Sequence, residues 1–255
     1  MQIQDKFRLD NKVAIVTGAS KGIGESIARA LGEQGAKVVV SSRKQEAVDA
    51  VVNDFKSQGI EAIGIAAHMG DPEQIEALAK QAIDAYGGID IIVNNAAANP
   101  VYGPILDTDD DVFDKIMQVN VKGPLALAKR AHASMKSRGG GSVINISSIE
   151  GISPGQGLGL YSVSKSALIS LTKVQAREWG ADNIRVNVIC PGLVKTKFSE
   201  ALTSNDKVLQ YVMAKQALNM VSEPDDMAGL ALFLASEAAQ FCTGGVYVAD
   251  GGYTI

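Results

Sequence analysis

Tyr161 and Lys165 stand four residues apart in Tyr-Ser-Val-Ser-Lys, within a stretch whose pattern predicts a helix running through Trp179. At that spacing both side chains leave a helix on one face. An ammonium beside a phenol favours the phenolate, so the expected tyrosine pKa lies below its usual ~10. A phenol tuned towards neutral pH can give a proton to a carbonyl oxygen or take one from an alcohol. Asn145-Ile-Ser-Ser148 lies a short way upstream, at the end of an expected strand, and can bring a hydroxyl to the same oxygen. Taken alone, Tyr-x-x-x-Lys also describes an exposed helix pair worth a few tenths of a kcal/mol. Its meaning depends on the elements that hold it.

The chain opens on such elements. Lys12–Thr17 is a short apolar, β-branched run and predicts a strand. Gly18-Ala-Ser-Lys-Gly22-Ile-Gly24 follows at once, and Glu25–Gln34 then has helical spacing, with Ile23, Ile27, Ala28, Ala30 and Leu31 apolar. Strand, glycine turn and helix together can bring a pyrophosphate up to a helix N-terminus. The spacing is Gly-x-x-x-Gly-x-Gly, unlike the usual Gly-x-Gly-x-x-Gly dinucleotide fingerprint.

The same alternation continues to the end. Further strands are expected at Lys37–Ser41, Glu61–Ala66, Asp90–Asn94, Ser142–Ser147, Arg185–Cys190 and Val246–Ala249. Helices are expected to begin near Gly22, Gln45, Pro72, Asp109, Leu158 and Pro224. Such a series predicts an α/β fold with a doubly wound, seven-stranded, mostly parallel sheet covered by helices on both faces. No linker, repeat or low-complexity tract divides the 255 residues, so residues 1–255 are read as one Rossmann domain.

Bulk properties exclude other classes. The net charge is −4 with no basic stripe, which argues against nucleic acid as partner. No apolar run approaches the ~18–20 residues of a membrane span. The two cysteines, Cys190 and Cys242, lack metal spacing and suit small buried hydrophobes in a reducing compartment; no metal is expected. The polar N-terminus has no signal-peptide core, and the C-terminal Gly-Gly-Tyr-Thr-Ile is not a Ser-Lys-Leu type address. The expected location is the cytoplasm.

Together the chain resembles the short-chain dehydrogenase/reductase family. The matching residues are Thr17–Gly24, Asn94-Asn-Ala-Ala97, Asn120 in Val-Asn-Val, Ser148, Tyr161-x-x-x-Lys165 and Pro191-Gly192. They occur in the family's order from near Asp10 to the end. Asn95–Pro100, His68 and Pro191–Thr196 look most like its carbonyl/retinol-reductase subgroup.

The resemblance implies roles. Tyr161 is then the general acid in carbonyl reduction and the base in alcohol oxidation. Lys165 lowers its pKa and bonds the nicotinamide ribose. Ser148 orients the substrate oxygen and is preferred over Ser147, because the family's serine precedes a glycine by three places, here Gly151. Asn120, otherwise a helix-bend residue, holds a water behind Lys165. Gly18, Ser20, Lys21, Gly22, Ile23 and Gly24 meet the pyrophosphate. His68 and Met69 reach adenine, Asn94 and Ala96 lie by the adenosine ribose, and Pro191, Gly192, Val194 and Thr196 line the nicotinamide.

Cofactor choice turns on the end of the second strand. NAD enzymes place an acid there for the ribose 2′-hydroxyl. This chain has Ser42 and then Arg43, with Lys21 as a second cation, so NADP(H) is expected. The substrate is read as a small carbonyl or alcohol. Its pocket is expected from Glu150, Ile152 and Pro154, from Asn99–Tyr102 and from a mobile segment, Phe198–Ala217. Two rivals are a 3-oxoacyl-carrier-protein reductase, for which Lys195 and Lys197 could meet an acidic carrier, and a non-catalytic nucleotide sensor. The intact tetrad argues against the sensor. A homotetramer is expected from the family habit and from the apolar stripe Ala167, Leu168, Leu171 and Val174.

Overall fold

Seven short β-branched runs become the strands of one sheet. The computed structural model describes residues 2–255. The strands are β1 (Val13–Thr17), β2 (Lys37–Ser42), β3 (Ala62–Ala66), β4 (Ile91–Asn94), β5 (Gly141–Ile146), β6 (Ile184–Pro191) and β7 (Val246–Ala249). Their order is β3-β2-β1-β4-β5-β6-β7, and every pairing is parallel. The sheet is therefore wholly parallel rather than mostly so. The order reverses between β1 and β4, the switch point at which open α/β sheets bind ligands.

The helices are α1 (Gly22–Glu33), α2 (Gln45–Ser57), α3 (Pro72–Tyr86), α4 (Asp110–Met117), α5 (Gly123–Ser137), α6 (Gly159–Trp179), α7 (Glu200–Thr203), α8 (Asp206–Lys215) and α9 (Asp225–Ala235). They cover both faces and leave two separate cores. One core packs Ile27, Leu31, Phe55 and Leu234 against Val16, Val38 and Ile144. The other packs Ile75, Leu78, Leu127 and Met135 against Ile15, Val39 and Ile92. Alternate residues of a strand face opposite sides, so Ile15 and Val16 serve different cores.

Two departures from the expected elements matter for the site. The helix expected from Asp109 is interrupted by a π-turn, Gln118–Lys122, before α5 begins. The segment Phe198–Ala217, read as a mobile lid, carries α7 and α8, and α8 is capped by the Asn205 side chain.

Candidate active site

The glycine loop is held shut by an asparagine. Asn95 Nδ2 donates to the carbonyls of Thr17 and Gly18 at 3.0 and 3.1 Å. Thr17 Oγ1 accepts from the N–H groups of Asn95 and Ala96 at 3.1 and 3.2 Å. Gly18 has φ +63°, and a Cβ there would lie 2.9 Å from Ala96 Cα. A Cβ on Gly24 would come within 2.4 Å of Asn95 Nδ2 and 2.6 Å of the Gly18 carbonyl. The first turn of α1 is thus pressed against the end of β4, and Ile23 anchors it on the core.

That helix end suits a nucleotide. Its N-cap residue, Lys21, offers no side-chain cap, so the first N–H groups remain available to an anion. Ser20 donates to Ser42 Oγ at 3.0 Å, tying the loop to the end of β2. Arg43 and Lys21 are exposed, and neither has a side-chain partner among the described residues. Thr196 lies over Gly22: its Cγ2 is 3.2 Å from where a Gly22 Cβ would be. Free backbone donors, two unpaired cations and closely packed glycines fit a phosphorylated dinucleotide.

Other expected cofactor residues divide by which part of each can take part. Asn94 is 2 % exposed. Its side chain points away from the loop and donates to Asn145 Oδ1 at 2.8 Å, in register with the next strand. That bond is packing at the end of β4, the alternative to a ribose contact from its side chain. Strand alternation turns Asn94 inward and gives Asn95 to the loop, and Asn95 was not singled out. Met69 is buried in the core, so its backbone alone can face a ligand. His68 Nδ1 accepts from the Gly70 N–H at 3.0 Å, which leaves its other ring nitrogen uncommitted. Pro191 ends β6, and the Gly192 N–H donates to the Ala249 carbonyl at 3.0 Å. Val194 is buried, and its carbonyl accepts from Ser199 Oγ, which also bonds Thr196 Oγ1 at 3.0 Å. Ser199 thus fixes the shape of the 194–199 turn, another residue the sequence reading passed over.

The four candidate catalytic groups converge on the C-terminal edge of β5. Lys165 is 2 % exposed and donates to the Ile146 carbonyl at 2.8 Å. Its Nζ lies 5.4 Å from the Tyr161 ring centroid. The Ser148 hydroxyl lies close enough to the Tyr161 phenol to favour its ionised form. Ser147 is turned away: its hydroxyl donates to the Lys165 carbonyl at 2.9 Å. Asn120 occupies the π-turn, and its Oδ1 accepts from the Ala98 N–H at 2.8 Å. Its amide donates to the Ala98 carbonyl and to Ser164 Oγ, both at 3.0 Å. Ser164 in turn donates to the Tyr161 carbonyl at 2.7 Å. With both amide protons committed, Asn120 is first a brace between the loop after β4 and α6; any water falls to its remaining acceptors.

The electrostatics overturn one expectation. The phenol of Tyr161 has its pKa raised, chiefly by burial; the Ser148 hydroxyl opposes this and the charge of Glu150 adds to it. Lys165 falls to about 8, again by burial. Spacing alone gave the attraction between the pair but omitted desolvation, which penalises both charged forms. The phenol is therefore protonated at neutral pH, ready to donate. Phe198 tilts over it with ring centroids 6.2 Å apart and is 57 % exposed, forming an apolar roof.

A family model described as enoyl-(acyl carrier protein) reductase matches residues 18–254. The chain is 45 % identical to human dehydrogenase/reductase SDR family member 4 over 244 residues, 96 % of this chain and 88 % of that protein. The rabbit protein of that name is also 45 % identical, over 96 % of this chain and 94 % of its own. The chain belongs to the short-chain dehydrogenase/reductase family. Among solved structures, a gluconate 5-dehydrogenase from Burkholderia cenocepacia in complex with NADP and tartrate superposes with TM-score 0.95. It is 30 % identical, over 99 % of both chains. A 7α-hydroxysteroid dehydrogenase complexed with NADH and 7-oxo glycochenodeoxycholic acid superposes with TM-score 0.94. It is 32 % identical, over 99 % of this chain and 98 % of that one. As a short-chain dehydrogenase/reductase close to the member 4 proteins, the chain is an oxidoreductase of the carbonyl/alcohol pair, on a fold that binds a nicotinamide cofactor.

Proposed function

We propose that this protein is an NADP(H)-dependent carbonyl reductase and alcohol dehydrogenase. The observation that carries the cofactor choice is the end of β2. Ser42 stands where an acid would bond a ribose 2′-hydroxyl, and the unpaired Arg43 follows, with Lys21 on the loop that Ser20 ties to Ser42. A guanidinium grips a 2′-phosphate that a carboxylate would repel. Since the structural relatives include one bound to NADP and one bound to NADH, these residues must make the distinction.

When bound, the nicotinamide supplies or accepts the hydride. The chain's own groups handle the rest. Tyr161 gives its proton to the carbonyl oxygen in reduction, and Ser148 holds that oxygen beside it. Lys165, fixed on the Ile146 carbonyl, supplies a nearby positive charge, and Asn120 braces the helix that carries both. Phe198 lays an apolar ring beside the phenol. The 3-oxoacyl-carrier-protein alternative has weaker support, because Lys195 is already paired with Glu223 at 3.5 Å. The two unpaired cysteines suit the reducing cytoplasm. We read the assembly as a homotetramer.

The test is catalytic efficiency with the two cofactors. A charge-assisted bond to phosphate is worth about 1.5–3 kcal/mol, so NADPH is expected to win by roughly one to two decades. Arg43→Ala should erase most of that margin by raising the NADPH Michaelis constant alone. Ser42→Asp should invert it. A wild-type enzyme that used NADH as well as NADPH would return Arg43 and Lys21 to the status of solvated surface charges.

A further inference from the structure

The loop between Ser148 and α6 is held at both ends by one carboxylate. Glu150 sits in the 3₁₀ turn Ile149–Gly151, capped by Ser148, whose Oγ accepts from the Glu150 N–H at 3.1 Å. A single carboxylate oxygen, Oε2, accepts from the Gly155 N–H at 2.6 Å and faces the Ser162 hydroxyl at 3.0 Å, sharing that hydroxyl's one proton with the Leu158 carbonyl at 2.8 Å. Gly155 makes room for it: a Cβ there would lie 2.8 Å from Oε1. Ser162 is buried and directly follows Tyr161 in α6. The carboxylate therefore joins the 151–155 turn to the helix turn that presents the phenol.

The same carboxylate has no ion-pair partner. Among the described residues no lysine, arginine or histidine lies within salt-bridge distance of Glu150, although such pairs form elsewhere on the surface. Its negative charge reaches the phenol, whose ionisation it opposes. Exposed apolar side chains, Tyr102, Ile105, Ile152 and Phe198, surround the site, whose buried cation is Lys165, 5.4 Å from the Tyr161 ring centroid. The Tyr102 ring closes over Gly157 at the far end of the loop.

We propose that Glu150 is a positioning and charge-selecting residue: it clasps the 151–158 loop to the first turn of α6, and its unpaired charge makes the site prefer neutral carbonyl substrates to carboxylate-bearing ones. This rests on the carbonyl-reductase reading. The two effects separate by substitution. Because one oxygen faces both donors, Glu150→Gln can keep the clasp while removing the charge; Glu150→Ala removes both.

The probes are 4-acetylbenzamide and 4-acetylbenzoate, nearly matched in shape and differing by the negative charge. Wild type should favour the neutral ketone in kcat/KM, and Glu150→Gln should narrow that ratio by about tenfold, as expected for one like-charge contact at partial solvent screening. The narrowing should come through KM for 4-acetylbenzoate. Glu150→Ala should lower kcat for both ketones and speed amide hydrogen exchange across residues 151–160, while Glu150→Gln should leave that exchange protected. A ratio unmoved in Glu150→Gln overturns the charge selection, and unmoved exchange in Glu150→Ala overturns the clasp. If wild type reduced neither ketone with either cofactor, the carbonyl-reductase reading would fall separately. Calorimetric binding of the two ketones to wild type and Glu150→Gln would then decide the charge selection, and the exchange data the clasp.

Discussion

Lys165 is an expensive residue to keep in this fold. It is almost fully buried, has no carboxylate partner among the described residues, and leans on one carbonyl. Its pKa falls from 10.5 to about 8, which corresponds to a cost of about 3 kcal/mol to the folded state at neutral pH. The sign follows from proton binding. Below pH 8 both folded and unfolded chains hold the proton, and the cost is fully present. Between pH 8 and 10.5 the unfolded chain holds it more tightly, so stability from this group rises with pH. Lys165→Met, which removes the charge and keeps the volume, should therefore melt higher than wild type at pH 7 while losing most activity. The gap should close by pH 10.5, where the neutral amine still donates to Ile146. Thermal melts across that range provide the check; a variant less stable than wild type by a constant margin would show that the buried charge carries no such cost. The sequence allowed Tyr161 and Lys165 to be paired, because helical spacing is a local property. It could not tell that both are desolvated, since burial depends on what α4, the β4 loop and β5 bring over them.

At the scale of elements, the boundaries of the strands and most helices were legible, because β-branched runs and glycine punctuation are written locally. Chain direction was legible as well: every crossover carries a helix, and the sheet came out parallel. The π-turn at Gln118–Lys122 was not, because its cause is tertiary: Asn120 must reach both Ala98 and Ser164. Nor was the exchange of roles between Asn94 and Asn95, which depends on which face of β4 meets the loop. That loop now makes a definite prediction. Gly24→Ala places a methyl against both Asn95 Nδ2 and the Gly18 carbonyl, and at least one of those contacts is backbone. The variant should lose about 1–3 kcal/mol of stability and bind NADPH at least tenfold more weakly. Adding Asn95→Ala should not rescue it, because the carbonyl clash remains and two loop carbonyls lose their donor. Recovery of cofactor binding in the double variant, measured by fluorescence titration, would show that the asparagine alone sets the loop.

For the whole molecule, what remains exposed is informative. The stripe expected on α6 is partly used within the chain: Leu168 is buried in the fold. Val163 and Val174 remain 46 % and 49 % exposed on the same helix, eleven residues apart and so on one face. A second apolar site lies at the sheet edge, where β7 has no further strand beside it and Val248 is exposed. An assembly in which each of these two patches closes on a second copy around its own two-fold axis is a dimer of dimers. An open strand edge also invites pairing unless something covers it. Light scattering should therefore report about 107 kDa, four times the 26.7 kDa chain. Val163→Glu with Val174→Glu should split the α6 contact and halve that mass, since two carboxylates would be buried without partners. Val248→Glu should leave the other dimer. Combining all three should give monomers that still fold, because none of these side chains belongs to either core. A wild-type mass near that of one chain at working concentration would assign the exposed α6 stripe and the β7 edge to the free surface of a monomer.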